Sequence, residues 1–283
     1  MKSVLITGAS TGIGRECALD LSRIGWRVFA GVRKTGDGDS LKAESYGSII
    51  PIILDVTDEE NIRKASAILE EKLAENGLDA LINNAGISVQ GPLEFLPLAR
   101  FEKLLKVNVT GQLAVTQAFL PLIRKALGRI VFMGSETGRF TLPMVGAYSA
   151  SKFALEAVAN ALRLELLKSG IRVILLEPGS AKTKIWDKAL ENTSQFIIET
   201  PEPARKLYSK ELSVLSKLPS RLNKMAFSPK KVSKAAIHAL TSRRPKIRYV
   251  VGAEARLLIA FYGLTPTWFA DWCTVRTIRI LSR

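Results

Sequence analysis

The sequence predicts an α/β fold, a doubly wound parallel sheet of seven strands with helices on both faces, and three observations carry that prediction. Short apolar runs rich in β-branched residues alternate with helical periodicity from about residue 3 to residue 251. The first of these runs passes directly into a glycine turn and then into a helix. The polar and glycine-containing stretches all follow apolar runs, so they gather at the carboxyl edge of the sheet, where such folds bind ligands.

Taken in order, Ser3 to Thr7 is the first strand, followed by Gly8-Ala-Ser10-Thr11-Gly12-Ile13-Gly14 and a helical pattern over Arg15 to Ile24. Glycines in that position let the backbone approach a pyrophosphate, whose charge is met by the first amides of the helix. Arg27 to Val32 is the second strand and ends in Arg33-Lys34. In a dinucleotide-binding sheet this end meets the adenosine ribose, where an acid accepts from a free 2′-hydroxyl and an arginine accommodates a 2′-phosphate. No acid adjoins Arg33, and Asp37 and Asp39 are expected in a loop, so the expected cofactor is NADP(H) rather than NAD(H).

Ile49 to Leu54 is the third strand, with Asp55 and Val56 at its end beside the expected adenine, and Asp58 caps a helix running to about Glu75. Leu78 to Ile82 is the fourth, ending in Asn83-Asn84-Ala85-Gly86, whose small residues let a flat ring lie against the backbone. Phe101 to Leu127 is helical with Asn108 in its middle; asparagine there costs helix propensity, so it is either tolerated on a wet face or kept for a polar task inside.

Ile130 to Met133 leads to Ser135, and Tyr148 to Lys168 forms the next helix. Tyr148 and Lys152, four residues apart, share one helical face, where an ammonium favours the phenolate that proton exchange near neutral pH requires. Ile171 to Leu176 runs into Pro178-Gly179, and Ile247 to Val251 supplies the last strand.

Composition narrows the chemistry. With two cysteines, Cys17 and Cys273, and one histidine, His238, there is no disulfide framework, zinc site or Ser-His-Asp triad. A formal charge of +15 suggests an anionic partner such as a phosphorylated cofactor or a membrane surface; the basic residues are dispersed and match no nucleic-acid-binding motif. The few residues before the first strand are too short for the apolar core of a signal peptide, and the expectation is a cytoplasmic protein.

Residues 1–252 read as a single domain, and residues 185–228 interrupt the alternation with Trp186, Phe196-Ile-Ile198, Pro201, Pro203 and a helical Ala204 to Leu218. Segments this long often act as lids, and the apolar content fits a lid over an apolar substrate. Residues 253–283 form a C-terminal helical extension. Its apolar Leu257 to Ala270 is too short to span a bilayer, whereas Trp268, Trp272, Arg276, Arg279 and Arg283 have the composition of an interfacial segment. That extension is expected on the pocket, on a partner subunit or on a membrane surface.

The motifs Thr7-Gly-Ala-Ser-Thr-Gly-Ile-Gly14, Asn83-Asn-Ala-Gly86, Asn108, Ser135, Tyr148-Ser-Ala-Ser-Lys152 and Pro178-Gly179 stand in an order and spacing that resembles the classical short-chain dehydrogenases/reductases over about residues 1–185. The resemblance implies a Rossmann-type sheet, Tyr148 as general acid/base, Lys152 on the nicotinamide ribose, Ser135 polarising the carbonyl, and Asn108 supporting a water relay to Lys152. Thr183 is implied as a carboxamide contact, although Ala181 stands where the family usually has valine. Glu136, Met144 and Trp186 are expected at the substrate.

The extension, with Pro245-x-x-Arg248-Tyr249 and Gly252-Ala253, is similar to that of retinol and hydroxysteroid dehydrogenases, which implies a lipophilic alcohol or carbonyl substrate. A 3-oxoacyl thioester reductase working on an acidic carrier protein and a non-catalytic dinucleotide sensor are the alternatives. Relatives usually dimerise through the helices 101–127 and 148–168, so a homodimer is expected.

Overall fold

The computed structural model describes residues 1–45, 48–182, 201–216 and 226–282. Thr183, Trp186 and much of the expected lid lie outside these residues.

Seven parallel strands form one sheet in the order β3-β2-β1-β4-β5-β6-β7: β1 Ser3–Ile6, β2 Arg27–Val32, β3 Ile49–Ile53, β4 Ala80–Asn83, β5 Arg129–Met133, β6 Arg172–Pro178 and β7 Arg248–Val251. The order reverses at β1, which pairs with β2 on one side and β4 on the other. This switch point opens a crevice at the carboxyl ends of β1 and β4.

The central strands β1, β4 and β5 are buried on both faces and so show no alternation with polar residues. Val4 and Ile6 point into one core with Cys17, Leu21 and Ala236. Leu5 between them points into the other, with Phe29, Leu69, Phe119, Phe132 and Leu155. Helices α1 (Gly12–Arg23) and α8 (Lys230–Thr241) cover the first face. The second lies under α3 (Glu59–Leu73), α5 (Gly111–Lys125) and α6 (Gly146–Glu165). Asp58 caps α3 as expected, its carboxylate accepting from the Asn61 amide at 3.1 Å.

Three elements differ from expectation. Asp37 and Asp39 lie in a helix, α2 (Thr35–Ala43), rather than a loop; buried Leu41 fastens it to the first core despite two helix-poor glycines. The helix expected over 101–127 begins earlier, as α4 (Leu98–Leu105), and passes through a π-helical turn, Lys106–Thr110, before α5. Asn108 sits in that turn. Between residues 201 and 216, α7 (Glu202–Leu207) is followed by helical residues 209–216.

The C-terminal extension is two helices, α9 (Ala253–Leu264) and α10 (Thr267–Leu281), broken at Pro266. Phe140 and Tyr262 stack with centroids 4.6 Å apart, which fastens the extension to the loop ahead of α6. Among the described residues no helix is long and apolar enough to cross a membrane.

Candidate active site

The turn after β1 has the backbone that its glycines imply. Gly8 and Gly12 adopt φ of +64° and +60°, the left-handed region that other residues enter at a cost. A Cβ on Gly14 would lie 2.5 Å from the Gly8 carbonyl oxygen, so a side chain there would close the turn. Thr11 at the head of α1 makes no side-chain cap, and the first turn carries no acid. Uncapped amides at the positive end of a twelve-residue helix, beside a Gly14 that admits no side chain, fit the diphosphate of a dinucleotide.

Hydrogen bonds tie this turn to the stretch after β4. Thr7 Oγ1 accepts from the amides of Asn84 and Ala85, both at 2.9 Å, and the Asn84 side chain donates to the carbonyls of Thr7 and Gly8. Gln112 on α5 donates to the Ala85 carbonyl at 2.7 Å, and buried Asn83 donates to Thr116. Asn108, wholly buried, accepts from the Ile87 amide at 2.9 Å and donates to the Ile87 carbonyl and to Ser151 Oγ, both at 3.0 Å. Ser151 donates in turn to the Tyr148 carbonyl at 2.7 Å. Asn108 therefore clamps the 83–87 stretch to the helix bearing Tyr148 and Lys152. Its amide is committed to Ile87 and Ser151, so any part in a relay falls to the backbone of its π turn, a distortion frequent at functional sites.

Ser135, Tyr148 and Lys152 are brought together where β5 meets α6. Ser135 Oγ accepts from the Thr137 amide at 3.2 Å and lies 2.9 Å from the Thr137 hydroxyl. Lys152, 4% exposed, donates from Nζ to the Met133 carbonyl at 2.8 Å, and Nζ lies 5.7 Å from the centre of the Tyr148 ring.

In the protein alone, burial is the largest influence on both groups. Burial pushes Tyr148 up to about 12, with Ser135 pulling it down and the Glu136 carboxylate adding to the rise. Burial also brings Lys152 down to about 8. Desolvation is the largest cause for each group, and through neutral pH the tyrosine is a proton donor.

Beside them is a pair of carboxyls, only one of which was expected. Glu136 Oε2 and Glu254 Oε1 are both buried with no hydrogen-bond partner among the described residues. Both border Gly179, where a Cβ would lie 2.9 Å from Glu254 Oε1 and 3.3 Å from Glu136 Oε2. Burial, and then the charge of Glu254, raise Glu136 from the ordinary 4.5 to about 7. Its contribution to stability is thus fully present below about 4.5 and is lost as pH rises through about 7. Glu136→Gln should therefore stabilise the protein at about pH 8 by on the order of 3 kcal/mol, several degrees in Tm, and by little at about pH 5. Thermal melts at both pH values check this; equal Tm at about pH 8 would show that the carboxyl is not held in its neutral form.

An apolar cavity of about 480 Å³ lies next to the site, lined by Pro143, Met144, Leu215, Leu258, Phe261 and Ile278 among others. Met144 is buried with φ +71°, a strained conformation for a side chain of its size, and its carbonyl accepts from the Gly91 amide at 2.7 Å. It also packs in one cluster with Ala147, Leu215 and Tyr148. The cavity wall is in this way continuous with the residues around the phenol.

Most expected positions converge on this edge. Gly8, Ser10, Thr11, Gly12, Ile13 and Gly14 form the turn, and Asn83, Ala85 and Gly86 lie beside it. Pro178 and Gly179 end β6 next to Glu136. Asp55 and Val56 follow β3, and exposed Arg33 ends β2. An acid does stand near Arg33 in space: although burial opposes it, the Asp55 carboxyl is held low by hydrogen bonds from Thr57 and by the charges of Arg33 and Lys106. Sequence reading missed Gln112 and Glu254. Nothing marks a glutamine inside a helix, and an acid in a helix's first turn ordinarily reads as a dipole contact.

An edge of this kind belongs to the class of α/β proteins that hold a dinucleotide beside an acid–base pair. Comparison with known proteins sets the family: the short chain dehydrogenase family model matches residues 2–194. The chain belongs to that family of oxidoreductases, whose members use nicotinamide cofactors. Retinol dehydrogenase 7 of Rattus norvegicus is 34% identical over 99% of this chain and 91% of its own. An NADPH-dependent 3-dehydrocapnine reductase of Ornithobacterium rhinotracheale is 30% identical over 100% of this chain and 99% of its own. Among solved structures, a short-chain dehydrogenase from Streptomyces avermitilis superposes with a TM-score of 0.78 at 26% identity, covering 98% of this chain and 97% of its own.

Proposed function

We propose that this protein is an NADP(H)-dependent oxidoreductase. It moves a hydride between the nicotinamide and the carbonyl or alcohol of a lipophilic small molecule, of retinoid, steroid or long-chain aldehyde or ketone type. The observation that carries the reading is the 480 Å³ apolar cavity continuous with the Ser135, Tyr148 and Lys152 cluster. The names of the retinol dehydrogenase and NADPH-dependent reductase relatives support it.

The cofactor supplies the hydride, and the chain's residues do the rest. The 8–14 turn holds the diphosphate, Arg33 takes the 2′-phosphate, and Asp55 and Val56 border the adenine. Asn83, Ala85, Gly86, Pro178 and Gly179 border the nicotinamide half, where Lys152 holds the ribose. Ser135 donates to the substrate oxygen and Tyr148 gives or takes its proton. The protonated phenol is the form that reduction of a carbonyl requires.

A titration with NADPH and NADH tests the cofactor, and turnover of a retinal, a ketosteroid, a long-chain aldehyde and a 3-oxoacyl thioester tests the substrate class. NADPH should bind ~10²-fold tighter, with Arg33→Asp reversing that preference. Equal binding of the two cofactors would overturn the role of Arg33, and turnover of the thioester alone would replace the lipophilic substrate with a carrier-linked one. We further read the protein as a homodimer through α5 and α6, supported by the exposed Phe153 and Leu164 on α6. A monomeric mass by light scattering would contradict that.

A further inference from the structure

The extension has two faces of opposite use. Leu258, Phe261 and Tyr262 of α9 and Cys273, Thr274, Thr277, Ile278 and Leu281 of α10 line the apolar cavity. Two of the polar side chains on this inner side are paired: the Tyr262 hydroxyl lies 2.6 Å from Thr274 Oγ1, which also donates to the Ala270 carbonyl at 2.8 Å. The outer side is apolar as well. Leu257 is 72% exposed, Leu264 85% and Trp268 72%, and Trp272, Val275 and Ile280 are also exposed. Trp268, Trp272 and Val275 recur at helical spacing along one stripe of α10.

This stripe is organised. Phe269 joins the two indoles, with centroids 5.6 Å from Trp268 and 5.9 Å from Trp272, and the Arg276 guanidinium sits over the Trp272 ring at 5.2 Å. The exposed charges of the two helices are Arg256, Arg276 and Arg279 against Asp271 alone, because Glu254 turns its Oε1 into the interior.

We propose that the α9–α10 hairpin docks on an anionic lipid surface, its indoles at the headgroup level and its arginines against the lipid charge. Indole rings straddle a boundary that is apolar on one side and wet on the other, and arginine lays its stem on apolar surface while its head reaches anions. At 15 residues α10 is ~22 Å long, short of the ~30 Å hydrocarbon layer, so it lies in the interface plane. A second copy is the poorer occupant of this stripe, since it would bring the same three arginines against their like. On the lipophilic-substrate reading above, docking also places the cavity one helix layer from the lipid that would deliver the substrate.

Vesicle flotation of the full chain tests the docking without reference to turnover. Phosphatidylcholine vesicles are compared with vesicles carrying about one-third phosphatidylglycerol, and tryptophan emission and light scattering are recorded alongside. Partition to the anionic vesicles should be ~100-fold stronger than to the neutral ones, weaken with salt, and blue-shift the emission. The double variant Trp268→Ala/Trp272→Ala should lose it by ~10-fold or more, and Arg276→Glu/Arg279→Glu should abolish the preference for anionic lipid. Absence of vesicle binding, equal binding by the tryptophan variant, or self-association that the tryptophan variant loses without any vesicle binding would each overturn the proposal. Because the readout is partition, failure here leaves the oxidoreductase reading untouched, and inactivity leaves the docking untouched.

Discussion

Tyr148→Phe is expected to lower kcat by about 10³-fold while leaving the dissociation constant for NADPH within about threefold. The substitution removes one oxygen and keeps the ring that packs with Met144, Ala147 and Leu215. Lys152 stays fixed, because its partner is the Met133 carbonyl on β5. The loss therefore falls on proton transfer and not on binding.

The pH dependence separates this role from a purely structural one. With the phenol pushed up to about 12, the acid form needed for carbonyl reduction is present throughout the neutral range. Reduction should therefore be steady near neutral pH and fall through about 8, where Lys152 is half discharged. Oxidation needs the phenolate and should rise with pH over the same range. Glu136→Gln, by removing a negative neighbour that helps raise the phenol, should move the oxidation profile to lower pH. Stopped-flow measurement of both directions checks these slopes, and near-normal turnover by Tyr148→Phe would remove Tyr148 from the chemistry.

The strands were legible in the sequence because burial on both faces writes them as short uninterrupted apolar runs, as in Val4-Leu5-Ile6 and Ile130-Val-Phe-Met133. The ligand edge was legible for a related reason. Glycines and small polar residues directly after such runs have few uses apart from a turn or a site.

What could not be read depends on contacts distant in sequence. α2 has the composition of a loop, Thr35-Gly-Asp-Gly-Asp-Ser, and becomes a helix through the packing of Leu41. Glu254 meets Glu136 only because the chain returns through β7 to place α9 beside Gly179. The burial that raises the Tyr148 phenol could not be read either, because spacing reports which groups are near each other but not how much water they have lost.

Asn108→Leu is expected to destabilise the protein by about 3 kcal/mol and, where it still folds, to depress kcat further than it weakens cofactor binding. Leucine nearly matches asparagine in shape but offers no hydrogen bond, so the amide and carbonyl of Ile87, held at 2.9 and 3.0 Å, lose this partner. Ser151 would keep its bond to the Tyr148 carbonyl while losing Asn108.

Ser151→Ala is the control. It breaks two hydrogen bonds but leaves Ile87 paired, and should cost about 1 kcal/mol. Urea denaturation of the two variants would rank them. A cost for Asn108→Leu below that of Ser151→Ala would mean that the 83–87 stretch is held by Thr7 and Gln112 alone, through Asn84 and Ala85. With the expected ranking, the asparagine in the π turn is the link that keeps the cofactor edge and the Tyr148 helix in register, a polar task inside a helix that repays its poor propensity.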